Sequence, residues 1–110
     1  MTGRRIKLMA DYDCWPLWGM ETEDIGNIDP GDLPLTEETV AGLTRWSQEF
    51  DARLDRADPA RSRPLSPGEE ERFEREGQAL WRQLQRELGS GFEVYYFSSS
   101  TGTLLPPDKK

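Results

Sequence analysis

The side chains able to do chemistry in this sequence are almost all carboxylates: Asp and Glu number 21 against 14 Lys and Arg, with no histidine and one cysteine. Without histidine the chain has neither a Ser-His-Asp nor a Cys-His nucleophile pair, and no His-containing zinc site. A lone Cys14 excludes an internal disulfide and any CxxC metal or redox motif. Acidic neighbours disfavour its thiolate, so Cys14 reads as a buried, inert residue. The glycines form neither GxGxxG nor GxxxxGK[ST], which removes the backbone cradle that phosphate binding needs.

What carboxylates can offer is cation binding. Asp11 and Asp13 lie two apart near a strand end, on one side if the strand continues. With Glu21, Glu23, Asp24 or Asn27 they present hard oxygens of the kind Ca²⁺ and Mg²⁺ take. Asp11, Asp13, Glu23 and Asp24 form the candidate metal set, although their spacing does not follow the EF-hand order. A small hydrolase built on loop carboxylates is the enzymatic version of this alternative, but acids so plentiful single out no acid–base pair.

The net charge of −7 is unevenly spread. Residues 11–38 carry nine acidic groups (Asp11, Asp13, Glu21, Glu23, Asp24, Asp29, Asp32, Glu37 and Glu38) and no basic one, while residues 1–10 carry only Arg4, Arg5 and Lys7. A polyanion repels phosphate backbones and anionic lipid surfaces, which disfavours nucleic-acid and membrane partners. The acidic segment also holds Tyr12, Trp15, Leu17, Trp18 and Met20, the densest aromatic cluster in the chain.

Trp and Tyr dominate binding hot spots, and acids belong at interface rims rather than centres. An aromatic centre with an acidic rim suits a basic protein partner. In that reading Tyr12, Trp15 and Trp18 are the contact aromatics, and Glu21, Glu23, Asp24, Asp29 and Asp32 steer the encounter. The competing reading tucks the tryptophans under the sheet as anchors, since aromatics dominate cores.

The elements that must hold these residues follow from periodicity. Arg4–Tyr12 alternates with Ile6, Leu8, Ala10 and Tyr12 on one side, a half-buried strand. Residues 13–35 lose all period among three prolines and three glycines, and read as a long acidic aromatic loop. Thr36 caps a helix in which Val40, Leu43, Ser47, Phe50, Leu54 and Ala57 recur at helical spacing, with Trp46 beside them. Asp58-Pro59 stops it, and a connector follows over Ala60 to Leu65.

Ser66-Pro67-Gly68-Glu69 starts a second helix with Phe73, Gly77, Leu80, Trp81, Leu84 and Leu88 as its buried stripe and Gly89 as its stop. Phe92–Ser98 reads as a strand and Thr103–Leu105 as a short further one, with a flexible tail over 106–110. The expected architecture is α+β: a two- or three-stranded sheet on an antiparallel helix pair, in the order strand, loop, helix, helix, strand, strand.

A chain of 110 residues makes a single domain, 1–110. No apolar run approaches the roughly 20 residues of a membrane span, and Met1–Ala10 lacks a signal peptide's apolar region, so the expected compartment is the cytoplasm. If the loop leaves it bare, the sheet face bearing Met9, Tyr95 and Phe97 is apolar enough for a homodimer to bury.

The runs ADYDCWPLW, GNIDPGDLPLT and DPARSRPLSPGEE resemble those of a widespread set of small actinobacterial proteins, over nearly the whole chain. In size and charge the chain is also similar to the immunity proteins of bacterial toxin systems. That likeness implies a non-enzymatic, cofactor-free protein-binding module, an immunity-type inhibitor of a basic toxin.

Overall fold

The computed structural model describes residues 4–11, 14–21, 24–51, 67–98 and 101–107, with side-chain surroundings for all of these except Glu21, Asp24, Ile25, Pro67 and Ser90. Expectations for Tyr12, Asp13, Glu23, Leu54, Ala57, the 58–65 connector, the Ser66 cap and residues 108–110 lie outside the described residues.

Among the described residues the chain forms one five-stranded sheet and two α-helices: β1 (Arg4–Leu8), β2 (Leu17–Glu21), β3 (Asp24–Ile28), α1 (Glu37–Asp51), α2 (Pro67–Leu88), β4 (Phe92–Ser98) and β5 (Thr103–Leu105). The spatial order is β3-β2-β1-β4-β5. β1 and β4 pair in parallel, and the other neighbours run antiparallel. A parallel pair needs a crossover between its strands, and the helices lie on that crossover.

The α+β class is as the sequence predicts, but the sheet is larger than two or three strands. The additional strands, β2 and β3, come from the segment that reads as a loop. Their period is hidden by Gly19 and Gly26, which face one another across the pair and leave no side chain at that point of the sheet. Gly26 adopts φ 145°, a backbone that L side chains rarely take.

Alternation divides the sheet into two faces. One row, Ile28–Leu17–Leu8–Tyr96–Leu105, runs across all five strands, and the row beside it, Asn27–Trp18–Lys7–Tyr95, points the other way. Leu17, Leu8 and Tyr96 are buried under the helices along with Ile6 and Val94. Burying an aliphatic side chain of this size stabilises the fold by roughly 1.5–3 kcal/mol.

The helix layer locks on through aromatic rings. Trp46 stacks on Phe73 with centroids 4.5 Å apart, and its indole N–H donates to the Phe73 carbonyl at 2.9 Å. Trp81 stacks on Tyr96 at 5.4 Å and donates to the Val94 carbonyl at 2.6 Å. Gly77 makes room for both layers: a Cβ there would lie 2.5 Å from the Tyr96 hydroxyl and 2.7 Å from Trp46 Cζ2.

Thr36 caps α1 as its position suggests, its hydroxyl accepting from the Thr39 N–H at 3.2 Å. The buried stripe of α1 is turned slightly from the expected one: Thr39, Leu43, Trp46 and Ser47 are buried, and Val40 is only half-buried. Gly89, at φ 63°, ends α2 as the left-handed residue.

Candidate partner-binding surface

Trp15 stands apart from the other tryptophans because the residue is 49% exposed. Its backbone is nevertheless fixed. The Asn27 side chain accepts from the Trp15 N–H at 2.8 Å and donates to the Trp15 carbonyl at 2.6 Å and the Leu17 carbonyl at 3.0 Å. Next to it Pro16 is buried, and its carbonyl accepts from the Met9 N–H at 2.8 Å. The entry to β2 is thus held by the two neighbouring strands while the indole stays in solvent.

The Asp29–Leu33 segment forms the adjoining wall. Asp29 caps a short 3₁₀ turn over Pro30–Asp32, its Oδ1 accepting from the Gly31 N–H at 2.9 Å, with Pro30 at the first position of the turn. Leu33 anchors the segment in the core. Trp15, Asn27, Asp29 and Asp32 then line one cleft of about 350 Å³, together with the apolar Ile28 and Leu33 and the cation of Arg4.

The structure therefore joins three of the sequence-predicted site residues, Trp15, Asp29 and Asp32. It does not join Trp18 to them. Trp18 projects from the sheet face away from the helices, beside Lys7, and its indole N–H donates to the Met9 carbonyl at 2.9 Å. The same face carries half-buried Tyr95 and Phe97 and the exposed Leu104. Because β2 and β3 extend the sheet, they do not fold over that face.

Tyr12 and Glu23 fall outside the described residues, and for Glu21 and Asp24 only the backbone position is described, at the ends of β2 and β3 that pair with each other. Of the candidate metal set, Asp11 is exposed and Asp13 and Glu23 lie outside the described residues. Among the described residues no group of three or more His, Cys, Asp or Glu is placed to hold a metal ion. Cys14 is half-buried, and its carbonyl accepts from the Ser47 hydroxyl at 3.1 Å.

Two carboxylates of the helix layer and one phenol of the sheet have perturbed surroundings. Partial desolvation acts to raise Glu87, but hydrogen bonds from Gln83, from the Thr39 hydroxyl and from the Thr36 N–H and hydroxyl outweigh it and hold the carboxyl at about 2. Glu87 thereby ties the end of α2 to the start of α1. Desolvation and the hydrogen-bonded carboxylate of Glu76 push Glu49 up, against Arg72 and Arg45. Glu74 accepts from the Tyr96 hydroxyl at 3.1 Å, and burial first, then that carboxylate, push the phenol up from its ordinary value. All three are contacts between elements of the fold.

Asn27 is the residue whose role the sequence conceals. Its type suggests an oxygen ligand, and only the pairing of β3 with β2 makes it the clamp on Trp15.

Fold and surface together define a small two-layer α+β protein that presents a backbone-fixed, half-exposed tryptophan beside two carboxylates. The chain belongs to the family described as Serratia CdiI immunity protein-like, which it matches over residues 4–99. Comparison with curated proteins found no match. Among the described residues no helix is long and apolar enough to cross a membrane.

Proposed function

We propose that this chain is an immunity-type inhibitor that binds a basic protein toxin in the cytoplasm and blocks it by occupying its surface, with no chemistry of its own. Family membership supports the immunity role, and the observation that carries the docking surface is Trp15, exposed and clamped next to Asp29 and Asp32. A main chain already fixed at this position has little backbone freedom left to lose on binding, so more of the contact energy appears as affinity. Glu21, Glu23 and Asp24 also steer the toxin's approach, with Tyr12 and Trp18 as further contacts.

Co-expression with candidate toxins, beginning with the products of genes that neighbour this chain's own, tests the proposal. Cells survive the toxin when the chain is present, and the two proteins elute together at low salt. Cell killing that is undiminished by well-expressed, folded chain contradicts it. Neutralising Glu23, Asp24 and Asp29 together slows association and flattens its salt dependence, because long-range steering is screened by salt.

A further inference from the structure

We propose that the cleft beside Trp15 seats one arginine side chain of the toxin, with the guanidinium between the indole and the carboxylates of Asp29 and Asp32. The inference rests on the partner-binding reading of this surface, but its test needs no toxin. At about 350 Å³ the cleft is at the small end of ligand pockets, roughly 300–1,000 Å³, and takes one long side chain.

The lining matches the parts of an arginine in turn. Ile28 and Leu33 offer apolar surface to its methylene stem. The Trp15 indole offers a face on which a planar cation stacks, and tryptophan is the best aromatic for this. Asp29 and Asp32 offer acceptor oxygens.

These groups keep capacity to take it, although Asp29 Oδ1 also accepts from the Gly31 N–H. Among the described residues the Trp15 indole N–H meets no acceptor, whereas those of Trp18, Trp46 and Trp81 each donate to a carbonyl. Neither Asp29 nor Asp32 forms an ion pair with a described residue. Arg4, the cation already in the lining, has its guanidinium carbon 5.9 Å from the Phe92 ring on β4, and the lining keeps one carboxylate more than it has cations.

The experiment titrates the full chain with N-acetylarginine amide and, separately, with its neutral isostere N-acetylcitrulline amide at low ionic strength. The four tryptophan indole signals are followed by nuclear magnetic resonance. The expected result is a saturable shift of the Trp15 signal alone, at least tenfold weaker in affinity for citrulline, and lost in Asp29→Asn/Asp32→Asn. The Asp29→Asn change keeps a side-chain oxygen to cap the turn, and the other three indole signals report that the fold is intact. Asp32→Asn by itself, weakening arginine binding severalfold, serves if the double variant misfolds.

Equal responses to arginine and citrulline, a response that survives neutralisation of the aspartates, or no Trp15 shift at all each overturn the seat. Arginine binding without toxin neutralisation would instead count against the immunity role and leave the seat standing.

Discussion

Trp46 and Trp81 are held at both ends, each with its ring stacked in the core and its indole N–H bonded to a carbonyl. Among the described residues Trp15 makes its hydrogen bonds only through its backbone, and the residue is about half exposed. The same residue type thus does opposite work in the helix layer and at the entry to β2. In the first region its apolar area is used in folding; in the second about half of it stays exposed. The difference is set by neighbours: Gly77 clears space for rings in the core, and Asn27 holds a main chain and leaves the side chain free.

The comparison breaks first at Trp81. Trp81→Ala removes the stack on Tyr96 and the bond to Val94, and urea unfolding is expected to register a loss of about 3–5 kcal/mol. Gly77→Ala comes next. Helix propensity alone favours alanine by about 1 kcal/mol, but the approach to the Tyr96 hydroxyl and Trp46 makes it destabilising by about 1–3 kcal/mol. A stabilised Gly77→Ala would mean the rings do not pack as described.

Glu87 gives a smaller effect with a defined pH dependence. Its folded value of about 2 lies below the ordinary 4.5. Its contribution is therefore present above the ordinary value and is lost as pH falls toward about 2. Glu87→Gln lowers stability at neutral pH and flattens that acid limb of a urea-midpoint profile.

Glu49 has the opposite sign. Its raised value means the fold favours the protonated form, so this contribution weakens as pH rises through the folded value. Glu76→Gln removes the facing carboxylate and stabilises the chain at neutral pH by about 0.2–1 kcal/mol. Trp15→Ala costs less stability than Trp81→Ala, because about half of the residue is exposed in the folded chain and it lies outside the core cluster.

Legibility in the sequence followed the same division. α2, β4 and β5 are found where the residues place them, because Phe73, Trp81, Leu84 and Leu88 keep helical spacing and Val94 and Tyr96 keep strand spacing. β2 and β3 were not legible, since Gly19 opposite Gly26 erases the alternation that would mark two short strands. For the site, the aromatic and acidic composition pointed to Trp15, Asp29 and Asp32. It could not separate Trp15 from Trp18, because that depends on where an unrecognised strand begins: Trp15 precedes β2, and Trp18 lies within it on the face away from the helices. Asn27 depends on the same register and was hidden with it.

The central claim, that Trp15 is kept out of the core to bind, is tested most directly by measuring toxin affinity and urea stability together for the wild-type chain and Trp15→Ala. The expected result is that the substitution weakens binding by tenfold or more, as for an interface hot spot, while the unfolding midpoint falls far less than it does for Trp81→Ala. Unchanged affinity, or a loss of affinity that only accompanies a loss of stability, would contradict it.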